Sequence, residues 1–242
     1  MLFDVLSNIR VAPRTWRMVL EGDTEAFSAP GQFVNIAVDG KFLRRPISVC
    51  DYEEGKMTLL YDVVGEGTRW LSQRAGGDRL DLLVGLGNGF DTEVSCDAPA
   101  LLGGGIGVAP LLNLARCLVA AGKSPVAVLG FNKGEDVVLV EELSALGVPV
   151  YVSTVDGSRG SKGFVTDALR ENNLNPDYFY ACGPLPMLKA LCALPIPGQL
   201  SLDERMACGF GVCMCCSLET VNGPKRICKE GPVFKKEELI WK

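Results

Sequence analysis

The sequence predicts three parts in series: an N-terminal antiparallel β-barrel over residues 1–97, a doubly wound α/β domain over 98–196 and a small cysteine-rich module over 197–242. Three observations carry this prediction. Up to about Cys96 short apolar alternations are broken by Gly, Pro and Asp; after Pro99 strand-like and helical runs alternate; and Cys208, Cys213, Cys216 and Cys228 crowd the C-terminal end.

In the first part, strands are expected at Phe33–Val38, Pro46–Val49 and Met57–Val64, where apolar side chains recur with the period of two that places them on one face. One helix interrupts them, Thr68–Arg74, with Thr68 set to cap it. In the second part, strands are expected at Ala100–Leu102, Val126–Gly130, Pro149–Thr154 and, as the last, Tyr178–Ala181. Helices fall at about Ala109–Ala121, at Glu141–Ala145 and after Pro184. Pro195-Ile196-Pro197-Gly198 reads as the linker into the third part.

The 242 residues exceed one typical domain, and 48% of them are hydrophobic, enough for real cores. A formal charge of −5, with no run of Lys or Arg, argues against nucleic acid and anionic lipid as partners and leaves proteins and small cofactors. Met1 to Val5 lacks the basic start and apolar block of a secretory signal, so a reducing cytoplasm and free thiols are expected. The uncharged stretch 98–115 is broken by Pro99, Pro110 and four glycines and reads as strand, loop and helix rather than as a membrane span. The sequence contains no histidine, which excludes a His-ligated zinc or Rieske centre and removes the commonest general base.

Cys208, Cys213, Cys216 and Cys228 are spaced C-x4-C-x2-C-x11-C, and the first three reproduce the spacing that wraps a plant-type [2Fe–2S] cluster. Gly209 and Gly211 let such a loop bend closely around inorganic sulfur. A structural zinc site draws its thiolates from two C-x2-C knuckles, whereas one such pair exists here, and unliganded thiols are the remaining reading. Cys215 competes with Cys216 for the third ligand; the C-x2-C spacing favours Cys216.

Other motifs admit two readings each. Gly103, Gly104, Gly105 and Gly107 place bare backbone between a strand end and a helix start, suited either to the pyrophosphate of a dinucleotide or to tight packing. Val108 stands where a strict dinucleotide fingerprint has its third glycine. Arg45-Pro46-Ile47-Ser48, preceded by Arg44, offers a guanidinium for phosphate and a hydroxyl for a flavin ring, or an exposed basic pair. Gly65 to Thr68 is a second phosphate-sized cradle or a turn with a cap, and Asp156-Gly157-Ser158 a ribose clamp or a polar turn. Cys182-Gly183-Pro184 ends a strand at the sheet's carboxyl edge, where ligands bind, although Cys182 also suits simple packing.

In order, Arg45 to Ser48, Gly65 to Thr68, Gly85-Leu86-Gly87-Asn88-Gly89-Phe90, Gly103 to Pro110 and Cys182 to Pro184 resemble the ferredoxin-reductase superfamily of flavoprotein electron transferases. Glu204 to Cys213 and Cys228 to Phe234 resemble, more narrowly, the electron-transfer subunits of NAD-linked dihydroorotate dehydrogenases. The resemblance implies FAD in the barrel, lined by Arg45, Pro46, Ile47, Ser48, Leu60, Tyr61, Asp62, Gly67 and Thr68, and NAD on the α/β domain, with Cys182 near the nicotinamide. It implies a [2Fe–2S] cluster on Cys208, Cys213, Cys216 and Cys228 that faces an FMN-containing catalytic subunit within a heterotetramer of pyrimidine biosynthesis. A related reductase subunit serving ferredoxin, sulfur or an oxygenase is the alternative within that class, and a zinc-bound nucleotide sensor the alternative outside it.

Overall fold

Residues 1–94 and 96–241 are described in a computed structural model of the chain. Strands β1 (Leu2–Arg10), β2 (Thr15–Glu21), β3 (Phe33–Ile36), β4 (Arg45–Glu53) and β5 (Lys56–Asp62), then helix α1 (Glu66–Ser72) and strand β6 (Arg79–Leu86), build the first part. The strands close into an antiparallel barrel in the order β1-β2-β5-β4-β3-β6. Its core follows the pleat. Phe3 and Val5, Met18 and Leu20, Val34 and Ile36, Met57, Leu59 and Tyr61, and Leu80 and Leu82 all point inward at alternate positions. Each such fully buried side chain contributes roughly 1.5–3 kcal/mol.

The helix expected at Thr68–Arg74 begins two residues earlier, with Gly65 at its N-cap. Thr68 sits inside the first turn and reaches back, its hydroxyl accepting the backbone N–H groups of Val64 at 2.9 Å and Gly65 at 3.2 Å. A threonine therefore caps this helix from its third position rather than from the flank.

The second part runs β7 (Ala100–Gly104), α2 (Leu111–Ala120), β8 (Val126–Phe131), α3 (Val140–Ala145), β9 (Val150–Thr154), β10 (Ser161–Lys162), α4 (Val165–Glu171), β11 (Phe179–Cys182), α5 (Leu185–Cys192) and β12 (Gly198–Ser201). The third adds the hairpin β13 (Ser217–Thr220) and β14 (Gly223–Arg226), then β15 (Val233–Lys235). One sheet in the order β10-β9-β8-β7-β11-β12-β15 spans both parts, parallel as far as β12 and antiparallel at β15. Helices cover both faces, which is why Ala100-Leu101-Leu102 and Ala127-Val128-Leu129 are apolar without alternation.

Two expectations change here. Tyr178–Ala181 is not the last parallel strand: Gly198, assigned to a linker, opens β12 and pairs with Phe179. Gly-Gln-Leu-Ser is too short and mixed to carry a strand pattern, and its Gln199 is buried because Asp91 and Tyr178 satisfy its amide. Helix α4 was not anticipated; the Asp167 carboxylate starts it by accepting the Phe164 N–H at 2.8 Å. Among the described residues no helix is long and apolar enough to cross a membrane.

The cysteine-rich part is thus not a hinged appendage. Asn88, in the Gly-rich loop after β6, donates to the carbonyls of Glu230 at 3.0 Å and Val233 at 2.8 Å and accepts the Val233 N–H at 3.1 Å. Gly87 lies so close to Pro232 that a Cβ there would come within 2.5 Å of its ring. Asn88→Ala is expected to cost about 1–3 kcal/mol for the three lost bonds, read as a lower urea midpoint with an unchanged slope.

Candidate functional site

The loop from Asp203 to Cys216 lies on the outside of β3. Gly209, at φ +78°, turns it there, and a Cβ would overlap the Asn35 amide, so only glycine fits. Asn35 Nδ2 donates to the Cys208 carbonyl at 3.1 Å. From the other side the Arg226 guanidinium donates to the Gly211 carbonyl and grips the Glu230 carboxylate, Nε to Oε2 at 3.0 Å. That pairing holds Glu230 down at about 2.

The loop sorts the thiols into two pairs. Cys208 and Cys213 are hydrogen-bonded neighbours near the surface, where the Val212 N–H reaches Cys208 Sγ at 3.4 Å. Cys216 and Cys228 are buried together, with the Cys228 N–H 3.4 Å from Cys216 Sγ. Burial pushes the Cys208 thiol up, but N–H donors from Cys213, Phe210 and Val212 outweigh it and bring the group down to about 6. Burial, with Cys216 beside it, pushes Cys228 up to about 12. Cys215 stays exposed, its sulfur 3.7 Å from the Arg205 carbonyl and outside both pairs.

Among the described residues no three His, Cys, Asp or Glu side chains gather around one point. Four thiols in two pairs are of the kind that holds a two-iron cluster, which takes two thiolates to each iron.

In the barrel, β4 carries Arg45, Pro46, Ile47 and Ser48 opposite Ile36, Asn35, Val34 and Phe33 of β3. The expected basic pair divides. Arg44 binds the Asp81 carboxylate, whereas Arg45 donates to the Leu43 carbonyl at 2.6 Å and lies across Gly67 at the start of α1, where a Cβ would collide with it. A guanidinium beside a glycine at a helix start is the kind of group that can hold a phosphate. Leu60 and Tyr61 spend their side chains on the two cores, and Tyr61, raised to about 12 by burial, donates to Asn8 Oδ1 at 3.0 Å. Asp62 accepts Thr15 Oγ1 at 2.6 Å and pairs with Arg14 at 3.0 Å.

The sheet's carboxyl edge faces the same region. Asp62, Arg14 and Thr15 line one crevice with Gly105, Ile106 and Asn132, so the barrel's strand end and the glycine loop after β7 meet there. That loop is a 3-10 turn, Gly105–Val108, and α2 starts only at Leu111. Gly103, Gly104 and Gly107 serve packing: a Cβ on Gly107 would stand 2.5 Å from the Cys182 carbonyl. Gly105, at φ +55° with open space around it, is the glycine that presents free backbone. Cys182 hydrogen-bonds Ser201, and lost hydration pushes its thiol up to about 12, so it stays neutral. Farther along this edge an open cleft of about 570 Å³ is lined by Lys133, Glu135, Asp156, Ser158 and Arg159. The Ser158 hydroxyl (2.6 Å) and N–H (3.0 Å) hold the Asp156 carboxyl below its ordinary range.

Sequence reasoning missed Asn35, Asn88 and Arg226 as parts of the site. Asn35 interrupts an otherwise apolar run of β3, Asn88 stands between two glycines, and Arg226 sits four residues before Glu230; each is a visible signal only once the loop is known to lie there.

A six-stranded barrel, a parallel sheet with its glycine loop facing that barrel, and a cysteine loop laid against both define a ferredoxin-reductase-like NAD-linked oxidoreductase. Residues 101–193 match the family model described as Oxidoreductase NAD-binding domain, and residues 203–240 the one described as Iron-sulfur cluster binding domain of dihydroorotate dehydrogenase B. The dihydroorotate dehydrogenase B (NAD(+)), electron transfer subunit, of Bacillus pumilus is 43% identical over 97% of this chain and 96% of its own length. Its namesake from Caldanaerobacter subterraneus is 44% identical over 98% and 97%. The chain belongs to the family of dihydroorotate dehydrogenase B electron transfer subunits. A structure of an NADH-dependent reduced ferredoxin-NADP oxidoreductase, described for flavin-based electron bifurcation, superimposes with a TM-score of 0.89 at 31% identity, covering 100% of this chain and 90% of that one. The cytochrome P450 reductase of Amycolatopsis shares the fold, at TM-score 0.70, over 78% of this chain and 64% of its own.

The thiol environments give a direct test in iron-free chain. Cys208 is expected to alkylate with a midpoint near pH 6 while Cys228 resists until far higher pH, as read by mass spectrometry of iodoacetamide-treated peptides. Because its folded value lies below the ordinary 9.0, Cys208 supports folding fully above pH 9 and loses that contribution as pH falls through 6.

Proposed function

We propose that this chain carries electrons from a partner subunit, which holds FMN and oxidises dihydroorotate to orotate, through a [2Fe–2S] cluster and FAD to NAD+, within a heterotetramer of two subunits of each kind. The single observation that carries the reading is the cysteine loop: two pairs of thiols, one near the surface and one buried, laid on the outside of the barrel strand that neighbours Arg45 to Ser48.

The residues fit each group. Cys208, Cys213, Cys216 and Cys228 would hold the cluster, with the N–H donors around Cys208 keeping that thiol largely as thiolate at neutral pH. Arg45, Gly67 and the first turn of α1 hold the FAD pyrophosphate; Pro46, Ile47 and Ser48, with the strand end at Leu60, Tyr61 and Asp62, hold its ring. Gly105 offers backbone N–H groups to the NAD pyrophosphate, Asp156 accepts from a ribose hydroxyl, and Cys182, Gly183 and Pro184 border the nicotinamide. When bound, flavin supplies the one chemistry that joins hydride exchange with nicotinamide to single-electron exchange with a cluster. This chain's residues bind, orient and exclude water; with no histidine to take a proton from carbon, that step belongs to the partner.

The partner docks on the rim of the cysteine loop, where Phe210, Val212 and Met214 stand exposed around Cys213. Apolar side chains on a surface loop are accounted for by burial against another subunit. The structural likeness to an NADH-dependent reduced ferredoxin-NADP oxidoreductase at 31% identity makes ferredoxin the competing one-electron partner.

Co-purification decides between them. The isolated chain is expected to oxidise NADH with artificial acceptors and to leave dihydroorotate untouched, gaining orotate formation only with the FMN subunit; turnover of dihydroorotate by the lone chain would refute the two-subunit reading. Cys213→Ser is expected to abolish the cluster signal while FAD stays bound, and Cys215→Ser to leave iron content unchanged, both measured by iron and acid-labile sulfide assay beside the flavin spectrum.

A further inference from the structure

Asn35 is 1% exposed and lies on the outward face of β3, directly opposite Pro46 of the flavin strand. Its neighbours Val34 and Ile36 point into the barrel core, so position 35 is the wall between that barrel and the cysteine loop. An aliphatic residue would satisfy burial at lower cost, because a buried amide must recover its hydrogen bonds. Asn35 recovers only part of them: Nδ2 donates to the Cys208 carbonyl at 3.1 Å, while the buried Oδ1 has no donor among the described residues. An orphan acceptor of this kind is a cost to folding.

The orientation of the amide is fixed by its partner. Turning it over would set Oδ1 against the Cys208 carbonyl oxygen, two acceptors facing each other. The loop presses on the same group from the next residue, where Gly209 carries no side chain and any Cβ would overlap Nδ2. One residue therefore pairs with the strand bearing Arg45 to Ser48 through its backbone and with the first cysteine through its side chain.

We infer that Asn35 is a positioning residue that locks the Cys208 end of the cysteine loop to the flavin strand and thereby sets how the cluster is presented to the flavin. This rests on the proposed cofactors. An iron–sulfur site is tuned by the hydrogen bonding and placement of its ligands, and a supporting residue acts through the ligand it holds. Stability alone does not account for the choice, since the polar side chain is the costlier one at this position.

The test compares full-length, cofactor-loaded wild type with Asn35→Leu, which keeps the volume and loses the amide. NADH supplies two electrons as a hydride, and the cluster accepts one at a time, so anaerobic mixing with NADH separates the events. Asn35→Leu is expected to keep its FAD and iron and to bleach its flavin at the wild-type rate. Cluster reduction should follow several-fold more slowly, with a displaced electron paramagnetic resonance signal. If the leucine variant does not fold, Asn35→Ser, too short to reach Cys208, carries the same expectations. Unchanged cluster reduction and an unchanged signal in a fully loaded variant would overturn the inference. Iron-free wild-type protein would instead overturn the function on which it rests, and the inference with it.

Discussion

A four-residue strand covered on both faces fixes the arrangement of the whole molecule. Phe33, Val34, Asn35 and Ile36 of β3 are all buried, although a strand in the wall of a small barrel ordinarily keeps one face in water. Val34 and Ile36 fill the barrel. Phe33 packs in the same core as Leu200 of β12, Cys216, Cys228 and Phe234 of β15, and Asn35 holds the Cys208 carbonyl. The outer wall of the barrel is thus the floor of the cysteine loop, and the parallel sheet reaches the loop through β15. The three parts share cores that cannot be separated without exposing apolar surface. Electron transfer between fixed sites needs that rigidity more than it needs motion.

Much of this was legible in the sequence, and the physics explains which parts were. The barrel strands and the β7–β9 strands declared themselves because alternation and unbroken apolar runs are direct consequences of one-sided and two-sided burial. The cysteine spacing declared the metal loop because a single short loop converging on two irons leaves few other arrangements. What stayed hidden depends on contacts between distant segments. Strand β12 is too short for periodicity and exists because β11 and β15 flank it. Asn35 and Asn88 meet partners 173 and 142–145 residues away, so no local window contains the reason for either. The glycine loop shows the opposite failure: its four glycines looked equivalent, and packing assigns three to close approach and leaves Gly105 alone facing open space.

The chemistry of the site is that of holding rather than of proton transfer. Its perturbed groups are thiols, tyrosines buried in cores, carboxylates held down by donors and Asp203, which burial pushes up, and the sequence has no histidine. Arg226 and Glu230 form a closed pair, so the clamp over the loop brings no net charge to the thiolates it steadies. Arg45 differs, since its companion Arg44 is the one that takes up Asp81 and leaves Arg45 turned toward Gly67. Adjacent arginines thereby take different partners, a distinction that composition cannot express.

The two thiol pairs differ in exposure. Cys213 is exposed on the same stretch of loop as the exposed Phe210, Val212 and Met214, while Cys216 and Cys228 lie at about 2% exposure in the core that contains Phe33. A cluster held by these four thiolates would reach from the exposed rim of the loop to that core, beside the barrel strand on which Asn35 meets Cys208. The exposed Cys215 stands outside both pairs, held off by its contact with the Arg205 carbonyl. Exchanging it for Cys216 would move the thiol out of the buried core and leave Cys228 without its neighbour. The C-x2-C spacing and the burial of Cys216 therefore select the same thiol.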